Sequence, residues 1–317
     1  MGSGDLLELE PATTADQGQV FDGDMEDDPP RRPRRAAVAV VYVALCATVA
    51  LGVLALFFSL FAFGLSGVQE HRSQYILRAQ MRGLLDPSSA VAPFIAGAIP
   101  AGSPVALLRA PQVGLDDLVV VEGTTSAQMV LGPGHLPDSP LPGQVGQSIL
   151  IGRSSTSGAP FATVGHLHRG TVIQVVTGQG AFRYRVMDKR VAGGSLPAIP
   201  PSGSILTLVT SVGPGVLGPI TDGHLVYVDL ALRGQAVPTL KGRPTAVSPA
   251  SIQGASDLTA LPGLVAWMVV LLAGLLGALW LLARWGWRRC WLIIAPVSLG
   301  ILWGLSNQLL RLVPNVY

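Results

Sequence analysis

From Ala36 to Gly67 the chain carries no charged residue. The run AAVAVVYVALCATVALGVLALFFSLFAFGLSG exceeds the roughly 20 residues a helix needs to cross ~30 Å of hydrocarbon. Backbone polar groups in lipid must be satisfied within the segment, so such a run is a helix. It is too long, and its charged preamble too extended, for a cleaved signal peptide. Arg31, Arg32, Arg34 and Arg35 stand just before it, and the excess of basic residues on the cytoplasmic side places the N-terminus inside.

Two more apolar runs follow near the other end, from Leu258 to Ala283 and from Cys290 to Leu310. Between them lie Arg284, Arg288 and Arg289, a basic loop that the same rule makes cytoplasmic. Trp280, Trp285, Trp287 and Trp291 gather there, as in an aromatic belt. Two independent basic signals therefore agree. The N-terminus is cytoplasmic, the long middle segment is extracellular, a helical hairpin follows, and Tyr317 ends outside. Gly300 and Gly304, with Ala273 and Gly277, give the small-residue spacing that lets helices approach closely.

Composition narrows the function classes. Charged residues are 13% of the 317, about half the share in ordinary globular proteins. A net charge of +2 does not favour nucleic acid as a partner. Two cysteines exclude a disulfide-dense scaffold and a four-cysteine zinc site.

The segments read as follows: an acidic cytoplasmic tail (1–35), a first membrane helix (36–67) and a juxtamembrane segment (68–101). A β domain (102–233) and a Pro/Ser/Gly linker (234–257) come next. The second membrane helix (258–283), the basic loop (284–289), the third membrane helix (290–310) and an extracellular tail (311–317) complete the chain. Within 69–85, Tyr75, Ile76, Met81, Leu84 and Leu85 suggest a helix with a mixed apolar face. Seven β-like segments lie at 104–109, 118–121, 148–151, 171–177, 182–186, 205–210 and 224–232, separated by Gly and Pro turns. Even spacing with few helices points to a closed or sandwich-like β domain.

The run VVVEGTTSAQMVLGPGHLPDSPLPGQVGQSILIGRSSTSGAPFATVGHLHRGTVIQV resembles the catalytic core of the sortases, especially the class E type. ILTLVTS and HLVYVDLAL continue the pattern. The resemblance rests on GPGH, PLPGQVGQ, GAPF, RGTVIQV and TLVT in order, and implies a mainly β fold: an eight-stranded β-barrel ectodomain plus the three membrane helices. Sortases are membrane-anchored cysteine transpeptidases that use a His after a strand, a Cys after TLVT and an Arg on the next strand. Set against that pattern, Arg153 stands at the His position, Ser211 at the Cys position and His224 at the Arg position.

The missing thiol follows without the resemblance. Cys46 falls inside the first apolar run and Cys290 opens the third, so no cysteine lies in the β domain. A serine hydroxyl needs a well-placed base, and a guanidinium accepts no proton. The leading expectation is a catalytically inactive sortase-like protein acting as a binding or assembly module of the cell envelope. The competing one is a serine-dependent acyl hydrolase or transferase using Ser211 and His224. In that case Arg153 would stabilise charge. No cofactor and no metal is expected. His166 and His168 lack further ligands, and Asp116–Asp117 alone is a weak calcium signal. His71 reads as surface and His135 as part of the GPGH turn. Expected partners are membrane lipid, a peptide or envelope polymer in the barrel groove, and a membrane protein docked through Leu258–Leu310.

Overall fold

A computed structural model of the chain describes residues 32–86, 98–191, 194, 197–215, 218, 223–239, 258–285 and 287–312. Residues 1–31 of the acidic tail, most of the 234–257 linker, Asp222 and the 313–317 tail fall outside them. Three described helical stretches are long and apolar enough to cross a membrane: Thr48–Leu85, Leu261–Trp285 and Arg289–Leu312.

Helix α1 (Arg32–Leu60) runs through a π-helical turn, Phe61–Leu65, into α2 (Ser66–Leu85). The first apolar run and the juxtamembrane helix are thus continuous. A π turn inserts one residue into the helical ladder and re-aims the side chains around it. Here it buries Phe61, which meets the ring of Trp303 edge-on at 5.0 Å and 83°. Leu77 and Met81 turn toward the barrel, whereas Tyr75 is 76% exposed and Ile76 is also exposed. The inward face therefore differs from the one read in sequence: it carries the polar Glu70 and Gln74 alongside Leu77 and Met81.

Eight strands follow: β1 (Pro104–Ala110), β2 (Leu115–Glu122), β3 (Gly134–His135), β4 (Gly146–Ile151), β5 (Val172–Thr177), β6 (Gly180–Val191), β7 (Ser204–Val212) and β8 (His224–Arg233). A one-turn helix, α3 (Ser126–Met129), sits between β2 and β3. The strands close into a barrel in the order β1-β2-β3-β4-β7-β8-β6-β5. All pairs are antiparallel except β2–β3 and β4–β7. Closure removes the exposed strand edges that an open sheet must protect. This is the eight-stranded barrel expected from the resemblance.

The interior is filled by alternate residues, among them Leu150, Leu206, Leu208, Val226, Val228 and Leu230. In β6 the segment FRYRV alternates cleanly: Phe182, Tyr184 and Val186 point in, Arg183 and Arg185 out. Strands β4 and β7 are buried on both faces. Their outer face is covered by a second cluster of Met129, Leu136, Ile149, Ile151, Val209 and Tyr227.

The chain ends in a hairpin of α4 (Leu261–Trp285) and α5 (Trp287–Leu312), which packs along its length. Arg284, Arg288 and Arg289 lie within these helices.

Candidate functional site

Register fixes which side chains share the outer face of β4, β7 and β8. Thr207 pairs with Asp229, Val209 with Tyr227, Ser211 with Leu225 and Val212 with His224. Directly opposed residues point to the same side and neighbours along a strand to opposite sides. Val209 and Tyr227 lie in the outer cluster, so Ser211 and Leu225 face outward too. Val212 packs against the interior core, so His224 sits on the other side of the sheet from Ser211. His224 is exposed at the start of β8, while Ser211 is 1% exposed. The structure does not bring the two together on one face. Asp229 is on the outer face as well, away from His224.

Arg153 lies two residues beyond the end of β4 and is fully buried. Its guanidinium donates to Thr156 Oγ1 at 3.1 Å, to Ser157 Oγ at 3.4 Å and to the Leu310 carbonyl near the end of α5 at 3.5 Å. No carboxylate among the described residues forms an ion pair with it. Burial pulls its pKa down to about 10, so it stays cationic near neutral pH. The loop beyond it is tightly bent, with Ser157, Gly158 and Ala159 all at positive φ (51°, 75° and 51°). Phe161 folds back beneath Gly152, where a Cβ would lie 2.2 Å from the ring.

The same outer face carries a polar chain that the sequence did not disclose. Gln147 Nε2 donates to Thr207 Oγ1 (2.8 Å), and the Thr207 hydroxyl donates to Asp229 Oδ1 (2.7 Å). Arg190 Nε donates to Asp229 Oδ2 (2.8 Å), and its guanidinium lies 4.4 Å above the Tyr227 ring. The bonds tie four strands, and the two to the Asp229 carboxylate are charge-assisted. The residues are distant in sequence, so only the strand order could have linked them.

A third buried chain is Glu122–His135–Ser139. His135 Nδ1 lies 2.7 Å from Glu122 Oε2, and its Nε2 is 3.1 Å from Ser139 Oγ. The distances imitate a nucleophile–base–acid relay. The bonding does not: Nε2 also faces the Pro140 carbonyl at 3.0 Å, so it carries hydrogen, and the Ser139 hydroxyl donates to the Leu136 carbonyl at 2.7 Å. All three side chains are buried, and they brace the GPGH turn against β2.

The remaining sequence candidates separate. Asp117 pairs with Arg109, and the Asp116 and Asp117 carbonyls accept from Arg78. His71, His166 and His168 are exposed. No cluster of three metal-ligating side chains occurs among the described residues. An open cleft of about 230 Å³ lies between α2 and the barrel, lined by Arg78, Arg82, Arg109 and Asp117. It includes none of Arg153, Ser211 or His224. Cys290 is buried, its thiol donating to the Leu281 carbonyl at 3.3 Å.

Residues 108–215 match the sequence model of the Sortase domain. That span contains Arg153 and Ser211 and stops short of His224. Sortase D of Bacillus subtilis is 29% identical over 90 residues, 28% of this chain and 43% of that protein, so under half of the relative is matched. Similar solved structures include the Sortase D5 transpeptidase of Clostridium perfringens (17% identity, 51% of this chain and 99% of that one, TM-score 0.41). Sortase E of Streptomyces avermitilis is another (25% identity, 43% and 91%, TM-score 0.35). A third is the SrtF sortase of Corynebacterium diphtheriae (22% identity, 51% and 98%, TM-score 0.39).

Proposed function

We propose that this chain is a membrane-anchored protein with a class E-like sortase barrel that has given up thiol transpeptidation. It serves as a binding or assembly module at the outer face of the cell membrane. The observation that carries this reading is the chemistry at two positions inside the matched sortase domain: a hydroxyl at 211 and a guanidinium at 153. Transpeptidation needs a thiolate to attack a peptide carbonyl and a proton carrier to serve the leaving amine. Both cysteines lie in apolar helices, α1 and α5. Arg153 holds its protons and directs them at Thr156, Ser157 and Leu310. His224 is turned to the other side of the sheet from Ser211, which argues against its serving as the base of a serine mechanism.

The basic residues around the start of α1 and at the α4–α5 junction orient the molecule with those ends in the cytoplasm and the barrel outside. The ligand class we favour is a peptide or envelope polymer on the outer face of β4, β7 and β8, with a membrane protein against α4 and α5 as the second point of assembly.

The test uses the full chain in nanodiscs, a sorting-signal peptide and an amine donor. No ligated or hydrolysed product is expected above a peptide-only control, and no fluorophosphonate labelling of Ser211. Product or label that disappears in Ser211→Ala overturns the inactive reading in favour of the serine enzyme. Saturable peptide binding without turnover supports the groove as a binding surface.

A further inference from the structure

Three separated parts of the chain meet at the loop after β4. From α2, Ser66 Oγ accepts the Ser157 N–H at 3.1 Å while its hydroxyl donates to the Ala62 carbonyl at 2.6 Å. Gly67 lies flat against Gly158: a Cβ on Gly67 would sit 3.5 Å from the Gly158 Cα, and one on Gly158 would press to 2.9 Å of Glu70 Oε2. From the last membrane helix, Leu310 packs with Phe61, Ala62 and Val130. From the loop itself, Arg153 reaches the Leu310 carbonyl.

The last four carbonyls of a helix have no intrahelical donor and carry the negative end of the helix dipole. Leu310 lies within the last four residues of α5, which ends at Leu312. Basic side chains at helix C-termini satisfy such carbonyls. Arg153 has no carboxylate partner among the described residues and is fully buried, so hydroxyls and this carbonyl are its compensation. A buried cation left without partners is strongly destabilising.

We infer that the loop from Arg153 to Gly158 is a socket for the C-terminal end of the last membrane helix, with Arg153 as the cap that holds it. Arg153 is a positioning residue that fixes α5 against the barrel. The loop is clamped from one side by Ser66 and Gly67 and from the other by Leu310, so barrel and hairpin move as one body at this point. The socket does not depend on whether Ser211 is inert, because it concerns only the helix end.

The test uses full-length protein in nanodiscs, with Cys46→Ala and Cys290→Ala to clear the background. A single cysteine replaces Ser306, which is fully buried one turn before Leu310 and whose hydroxyl makes no hydrogen bond to the described residues. The measurement is the rate of maleimide labelling at this cysteine. Arg153→Ala should speed labelling roughly tenfold or more, the effect of losing a charged hydrogen bond. Arg153→Lys, which retains charge and donor, should recover part of the protection. A second reporter, Leu208→Cys in the barrel core, should stay unlabelled in every variant that folds. Labelling at the wild-type rate in Arg153→Ala, with the Leu208→Cys reporter protected, overturns the cap. Should Arg153→Ala fail to fold, Arg153→Gln is read in its place: an unchanged rate there overturns the inference, and a several-fold rise supports it. Ser211→Ala should leave the rate unchanged, which separates this result from the catalytic question.

Discussion

Gln74 sits on the buried face of α2, where its amide oxygen accepts the Val119 N–H at 2.8 Å and its amide nitrogen donates to the Val119 and Leu131 carbonyls at 3.0 Å each. Strand β3 pairs with β2 only at Val121 and Glu122, so beside Val119 that edge of β2 has no strand. The side chain of α2 stands in for the missing one. Gln74→Leu conserves volume and removes all three bonds at a site 1% exposed to solvent. Each buried group left without a partner costs about 1–3 kcal/mol. Carbonyls tolerate this better than an N–H, and the new apolar contact returns about 1 kcal/mol. The expected net loss is about 3 kcal/mol, or a fall in Tm of roughly 6–12 °C for a domain of this size. Thermal unfolding of the full chain in one detergent and at one scan rate, followed by circular dichroism of the barrel, measures it. Gly132→Ala should act on the same amide, because its Cβ would lie 2.2 Å from Gln74 Nε2. The two substitutions should therefore combine to less than their sum. A Gln74→Leu melt within about 2 °C of wild type, well below the shift worked out above, or strict additivity with Gly132→Ala, would refute the surrogate-strand argument.

Two further outcomes follow from buried polar groups. The Tyr184 hydroxyl accepts the Gly143 N–H and bonds Ser204 Oγ, both at 2.7 Å, and burial raises its pKa above the ordinary phenol value. The folded form then holds its proton longer than the unfolded chain. Stability from this group is complete below about pH 10 and declines as pH climbs through the folded value. Tyr184→Phe should cost about 1–2 kcal/mol at about pH 8 and flatten the alkaline part of a Tm-versus-pH curve; an unaltered alkaline slope would count against it. Asp229→Ala removes the carboxylate from Arg190 and the acceptor from Thr207, and should cost about 3 kcal/mol or more. The double variant with Arg190→Met should recover part of that loss in the same melt, and no recovery would show that the charge left behind is not the cause.

Much of the architecture was legible because it is local. The uncharged runs announced three helices long and apolar enough to cross a membrane, and alternation in FRYRV or branched residues in ILTLVT announced strands. Strand β3 was not legible: it is two residues long, Gly134–His135, in a segment that reads as a turn. The inward face of α2 was misjudged because Gln74 is polar, and polarity says nothing of a strand edge waiting for an amide. The basic hairpin loop expected at 284–289 is instead taken up by the ends of α4 and α5. Arg284 in the last turn of α4 suits the negative end of that helix's dipole. At the candidate site, a guanidinium at 153 and a hydroxyl at 211, where the resemblance expects imidazole and sulfur, could be read directly from position. The use found for Arg153 could not, since Leu310 lies 157 residues further along the chain.

The cations around Ser211 decide whether sulfur alone would restore a nucleophile. A reactive cysteine needs a nearby positive charge or a helix N-terminus to lower its pKa from about 8.5. Arg153 is sealed beneath α5 with its donors directed at Thr156, Ser157 and Leu310. Arg190 is neutralised by Asp229. His224 faces the other side of the sheet. Among the described residues, Val209 and Leu225, which share its face of the sheet, are apolar. Ser211→Cys should therefore give a thiol with a pKa at or above about 8.5, slow to alkylate near neutral pH. Adding Arg153→His should not lower it, because an imidazole there is enclosed by the same helix end. The measurement is the pH dependence of iodoacetamide labelling at position 211, with Cys46 and Cys290 replaced by alanine. A thiol titrating well below about pH 7 in the single variant, in the range of activated cysteines, would mean that a cation reaches this face and would overturn the argument.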